Sequence, residues 1–171
     1  MQLSTRGRYA VMALADLASR QAEECCCGPV CLAEIAARQQ LSLSYLEQLF
    51  GKLRRAGLVS SARGPGGGYK LAHPCEAIAI ADIVAAVDEP ISATRCESDG
   101  RGCLGAGRPD GTGERCQTHD LWAELSRQIE LFLMGVTLAD VINQAVRGRA
   151  VPLPPRRKDP AREPAGPVAA E

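Results

Sequence analysis

The chain is poor in aromatic residues, with two Phe, one Trp and three Tyr among 171 residues. Any core must therefore be built mainly from Leu, Ile, Val and Ala. It lacks a continuous apolar run long enough to span a bilayer, roughly eighteen residues or more, which argues against a membrane helix. Histidine is limited to two residues, and no nucleophile–base pair, acid pair or cofactor fingerprint accompanies them, so an enzyme is not expected. Gly66-Gly67-Gly68 is followed by no Lys-Ser/Thr and sits in no strand–GxGxxG–helix unit, which counts against a nucleotide cradle. The start, Met1 to Tyr9, is polar and basic and has no small-residue cleavage site, so a cytoplasmic location is expected.

Net charge is also absent, but the zero hides an uneven distribution. Residues 1–70 carry nine Lys/Arg against five Asp/Glu, whereas residues 71–150 carry seven against twelve. A basic N-terminal half hints at an anionic partner. Cysteine, by contrast, is plentiful: Cys25, Cys26, Cys27, Cys31, Cys75, Cys96, Cys103 and Cys116. In a reducing compartment these favour free thiols or metal ligands over disulfides.

Hydrophobic periodicity predicts a first helix from Tyr9 to Ser19, with Ala10, Ala13, Leu14 and Leu17 on one face. A second, short helix carries Leu32, Ile35 and Ala36. The third repeats the pattern at Leu46, Leu49, Phe50 and Leu53, with Ser44 and Glu47 as a capping box and Gly57 as its stop. The period then changes to two. Leu58 to Arg63 and Tyr69 to Leu71 read as strands around a Gly64-Pro65-Gly66-Gly67-Gly68 tip. A fourth helix places Ile80, Ile83, Val84 and Val87 on one side and ends before Pro90. Cys75 reads as a small buried hydrophobe and His73 as a surface residue.

Residues 92–118 have no apolar periodicity, so something other than a core must order them. Over residues 120–135, Trp122, Leu125, Ile129, Phe132 and Val136 form a coiled-coil-like seam, broadened by Leu121, Leu131 and Leu133. A helix this apolar packs either in its own core or against a second copy as well. A last helix begins near Thr137 with Asp140 at a capping-box position. The Pro- and Arg-rich end predicts a disordered tail. The expected fold is mainly α with a small β-hairpin. Residues 1–90 would form a winged helix-turn-helix domain, 91–119 a metal-binding loop, 120–148 dimerisation helices and 149–171 the tail.

In that order of elements the third helix would enter the major groove and the hairpin wing would lie over the backbone or minor groove. Opposite its leucines, the third helix carries Ser44, Gln48, Gly51, Lys52 and Arg55, flanked by Tyr45, Glu47 and Arg54. Gln can pair with adenine, Glu can accept from cytosine N4, and Lys and Arg neutralise phosphates. Such a face can also be merely solvated. The hairpin that follows lifts the DNA reading, because Arg63 stands at its base beside slender glycines, a natural minor-groove probe. One reading helix per chain and an apolar seam predict a homodimer on palindromic double-stranded DNA.

The loop offers Cys96-x6-Cys103-x12-Cys116-x2-His119. Three thiolates and an imidazole suit a structural zinc or an iron–sulfur cluster. The absence of tight Cys pairs gives the cluster a small edge. Zinc would make the chain a zinc-stabilised DNA-binding or interaction module.

Several segments resemble a known family: Arg8-Tyr9-Ala10-Val11, Leu43-Ser44-Tyr45-Leu46-Glu47-Gln48-Leu49-Phe50, Arg63-Gly64-Pro65-Gly66-Gly67-Gly68-Tyr69, Ala93-Thr94-Arg95-Cys96 and Cys116-x-Thr118-His119-x-Leu121-Trp122. They are similar to IscR-type regulators of iron–sulfur cluster assembly, which are dimeric winged-helix transcription factors. The resemblance covers about residues 1–146. It implies a 2Fe-2S cluster held by Cys96, Cys103, Cys116 and His119, and a homodimer packed through the long helix. It implies repression of a cluster-assembly operon when the cluster is bound, and a second class of DNA site that needs no cluster. It gives Glu47 the role of excluding the cluster-free protein from the first class, and Arg63 the wing contact. Cluster-assembly scaffold proteins are a further candidate partner. The chain departs from the family in its longer inter-cysteine loops, its Cys25-Cys26-Cys27 run with Cys31, and its Pro-rich tail.

Overall fold

The computed structural model describes residues 5–23, 28–64, 66–87 and 117–147. Helices α1 (Thr5–Glu23), α2 (Leu32–Gln39) and α3 (Leu43–Arg55) come first. A hairpin of β1 (Val59–Ala62) and β2 (Gly68–Leu71) follows, then a short 3-10 turn at Cys75–Ala77 and helix α4 (Ile80–Ala86). Helices α5 (His119–Met134) and α6 (Leu138–Ile142) complete the described chain. Cys25, Cys26, Cys27, Cys96, Cys103, Cys116, all of the expected 92–118 loop but its last two residues, and the tail from 149 lie outside the described residues.

Helix α1 is longer at both ends than the expected Tyr9 to Ser19. Its stripe of Ala10, Ala13, Leu14 and Leu17 is fully buried, and polar turns extend the helix on either side. Periodicity detects the stripe alone, so the polar ends escape it. In α2, Leu32, Ile35 and Ala36 are buried as the pattern requires. Gln40 takes a left-handed conformation (φ 54°) and closes α2 by donating its N–H to the Ala36 carbonyl. That closure starts the turn into α3.

The capping box expected at Ser44 and Glu47 does not form. Helix α3 begins two residues earlier than that box requires. Its cap is Ser42, whose hydroxyl accepts from the Tyr45 N–H at 3.4 Å, and Ser44 is an exposed residue inside the first turn. Only Ser44 has an acid three positions on, but Leu41-Ser42-Leu43-Ser44 offers a hydroxyl at both positions and the fold uses the first. Leu46, Leu49, Phe50 and Leu53 are buried. The stop is as expected: Gly57 follows with φ 76°, a conformation open to glycine without a Cβ penalty.

The hairpin pairs Val59 with Leu71 and Ala62 with Gly68 in an antiparallel register. Its inner edge has a third partner. Val30 and Tyr69 exchange two backbone hydrogen bonds of 2.9 Å, so the chain entering α2 lies against the wing. A Cβ at position 68 would run into the Val30 carbonyl, which is why this strand starts with glycine. Phe50 meets the Tyr69 ring edge-on at 4.9 Å and ties α3 to the wing from inside.

One apolar core joins α1, α2, α3, β1 and α4, and it includes Val136 and Leu138 from the α5–α6 junction. Thr137 and Asp140 form the expected capping box at the start of α6. Helix α5 packs along α4, yet none of its residues is buried. Leu125, Ile129 and Leu133 are half-buried, while Leu121, Trp122, Leu131, Phe132 and Met134 are exposed. Packing of α5 wholly within its own core is therefore set aside. Cys75 is half-buried rather than buried, because its 3-10 turn lies at the core's edge. Burial, and then the neighbouring Glu76 charge, push its thiol up. Among the described residues, no helix is long and apolar enough to cross a membrane.

Candidate nucleic-acid interface

Helix α3 holds its leucines in the core, so its opposite side must face outward. Ser44, Glu47, Gln48 and Arg54 are exposed there, and Arg63 is exposed immediately after β1. Helix and wing are joined on this side: Arg54 Nη1 donates to the Ser61 hydroxyl at 3.3 Å. Leu43, Glu47, Arg54 and Arg63 line one groove between α3 and the wing, with Cys31 at its α2 end. An acid and two arginines thus share one groove, and these are the chemistries that meet base edges and backbone phosphates.

Two residues expected on this face are turned partly inward. Tyr45 is half-buried and meets the Tyr9 ring edge-on at 6.1 Å, so it packs α3 on α1. Lys52 is half-buried, and its Nζ donates to the Val87 carbonyl at 3.4 Å, reaching the end of α4. Arg55 Nε donates back to the Gly51 carbonyl at 3.3 Å.

A polar cluster that the sequence does not single out holds the helix-turn-helix together. The Asp16 side chain is only 7% exposed. Its carboxylate accepts from Arg38 Nε at 3.0 and 3.1 Å, from Arg38 Nη2 at 2.6 Å and from Gln39 Nε2 at 2.7 Å. Burial alone would raise the carboxyl's pKa. The hydrogen bonds from Arg38 and Gln39, with the charges of Arg38 and Arg20, outweigh it and hold the group below its ordinary value of 3.8. Arg38 and Gln39 stand directly before the left-handed Gln40, so this cluster fixes the start of the turn between α2 and α3. The one available signal was an acid set beside Leu17 on a largely apolar helix.

Of the four expected metal ligands, only His119 falls among the described residues. It is the partly exposed first residue of α5, preceded by Thr118 at the cap and followed by Asp120. Among the described residues, no three His, Cys, Asp or Glu side chains converge as a metal site. The donor set of three thiols and one imidazole, read from the chain, fits a cluster chemically, and its histidine stands at the start of α5.

A helix-turn-helix of α2 and α3 followed at once by a two-stranded wing defines a winged-helix DNA-binding transcription regulator. The family model described as Rrf2, iron-dependent transcriptional regulator, matches residues 3–144. The chain belongs to that family. IscR of Yersinia enterocolitica, an HTH-type transcriptional regulator, is 50% identical over 143 residues, covering 84% of this chain and 80% of that protein. Among solved structures, T. potens IscR matches with a TM-score of 0.63 and 34% identity, over 89% of this chain and 93% of that one. CymR, the global cysteine regulator of B. subtilis, matches with a TM-score of 0.65 and 33% identity, over 84% of this chain and 98% of that one. All three relatives are regulators, and none is an enzyme.

Proposed function

We propose that this regulator binds palindromic operator DNA as a cytoplasmic homodimer and holds a 2Fe-2S cluster through Cys96, Cys103, Cys116 and His119. On this reading it represses a cluster-assembly operon when the cluster is bound. The observation that carries the DNA half is the exposed side of α3 continuing, through the Arg54–Ser61 bond, to Arg63 at the root of the wing. Ser44, Glu47 and Gln48 present hydroxyl, carboxylate and amide to base edges, and Arg63 offers its charge to the minor groove or phosphates. Arg54 braces the wing while adding positive charge. Tyr45 and Lys52 contribute from half-buried positions, setting the pitch of α3 on α1 and α4.

The cluster half rests on the donor set and on the iron-dependent character of the family. A bound cluster supplies a redox-responsive, iron-dependent centre. His119 ties that centre to α5, and the exposed apolar residues of α5 supply the surface for the second protomer. Scaffold proteins of cluster assembly would then be donors of the cluster.

The test is anaerobic purification with a visible spectrum and quantified iron and sulfide, followed by salt titrations of operator binding. Equal iron and sulfide, and an Arg63→Ala variant with weaker binding and a shallower salt slope, are expected. A colourless protein carrying one zinc would replace the cluster with a structural metal.

A further inference from the structure

We infer that Leu43 is a specificity-determining residue that reads the 5-methyl group of a thymine in the operator half-site. The inference rests on the DNA-reading function proposed for α3. Leu43 is the first residue of α3, directly after the Ser42 cap, and it is 41% exposed. By spacing it belongs to the buried stripe. At about 100° per residue it lies within about 20° of Phe50, two turns along the same edge. Phe50 is fully buried, yet Leu43 is not: it lines the groove between α3 and the wing.

Apolar exposure elsewhere is concentrated in one place. Among the described residues the other large exposed hydrophobics are Met12 and a group on α5. Leu43 lies apart from α5, in the groove with Glu47, Arg54 and Arg63. It therefore places a branched apolar side chain at the end of the reading helix that enters the groove, among groups suited to base edges and phosphates. The apolar feature the major groove presents is the thymine methyl, and apolar side chains are its recognition chemistry. Glu47 follows one turn later on the same edge, so a thymine beside the base it contacts is the position expected.

The test uses the full-length wild-type protein and an operator obtained by in vitro selection. Each thymine is replaced by uracil, which deletes only the methyl group and leaves the pairing edge intact. One symmetry-related pair of uracils should weaken wild-type binding by about fourfold per half-site, the factor for exposing one buried methyl. Leu43→Ala should bind the thymine operator correspondingly weakly and should no longer distinguish uracil from thymine at that position. Its circular dichroism and thermal midpoint, unchanged, would separate lost contact from lost fold. Wild-type indifference to uracil at every position would overturn the inference while leaving the DNA reader intact. A uracil penalty undiminished in Leu43→Ala would overturn it equally. Selection that recovers no sequence preference would overturn the DNA reading itself, and this inference with it.

Discussion

Helices α3 and α5 are both amphipathic and similar in length, at 13 and 16 residues, but they use their apolar residues differently. Helix α3 buries Leu46, Leu49, Phe50 and Leu53 and leaves its polar side to solvent. Helix α5 fully buries no residue, although it carries Leu121, Trp122, Leu125, Ile129, Leu131, Phe132, Leu133 and Met134. The first helix is complete within one chain. The second presents a surface that one chain leaves uncovered, and a monomeric protein rarely exposes so large an apolar group without a partner. Stability of the reading head and assembly of the regulator should therefore be separable by mutation.

The largest effect expected is in the reading head. Phe50 is fully buried and packs on Tyr69, so Phe50→Ala removes a core ring and the internal link to the wing. It should cost about 3–5 kcal/mol in chemical denaturation. A loss below about 1 kcal/mol would mean that α3 is held chiefly by something outside this core.

Next is the Asp16 cluster. Asp16→Asn keeps the shape but removes the charge that Arg38 and Gln39 bond, and should cost about 1.5–3 kcal/mol at neutral pH. The folded carboxyl lies below its ordinary value of 3.8, so its contribution is present above that pH and is lost as pH falls through the folded value. The gap between wild type and variant should accordingly close in progressively acid denaturation curves. A gap that is constant with pH would assign the loss to packing instead.

On α5 the expectation reverses. Phe132 is 40% exposed, so Phe132→Ala should barely change the denaturation of an isolated protomer. It should weaken dimerisation by about 2 kcal/mol, or roughly 30-fold in dissociation constant, as an interface anchor does. Sedimentation across a concentration series reads this directly. An unchanged dimer would move the interface off this helix.

Much of this contrast was legible in the residues. The i, i+3, i+4, i+7 stripes located α1 to α4, and the switch to period two located the wing, because burial imposes those periods. Gly57 and the Thr137–Asp140 box were legible because their local chemistry admits few alternatives. What escaped depends on tertiary geometry. Asp16 gives no local sign of meeting Arg38, 22 residues away, across two helices. Lys52 and Tyr45 read as exposed because one helix's wheel does not reveal α4 and α1 beside it. Leu43 fits the core stripe by its spacing, yet it stands exposed in the groove beside the wing.

The smallest expected effect tests the one local rule that pointed to the wrong residue. Ser42 and Ser44 are two residues apart, each followed by Leu or Tyr, and only the second has an acid three positions on. The box signature therefore favours Ser44. In the fold Ser42 is the residue with extended backbone (ψ 130°), and its hydroxyl takes the Tyr45 N–H, while Ser44 already lies in the helix. Cap geometry, not the presence of Glu47, decides which hydroxyl can reach an orphan N–H. Ser42→Ala should cost ~1 kcal/mol, and Ser44→Ala should leave stability within about 0.5 kcal/mol of wild type. Operator binding should show the opposite ranking, since Ser44 is exposed on the face proposed to read DNA and Ser42 is occupied by the cap. If Ser44→Ala were instead the destabilising change, helix α3 would begin at the later serine. Leu43 would then lie outside the helix, and the edge shared by Leu43, Glu47 and Arg54 would lose its first member.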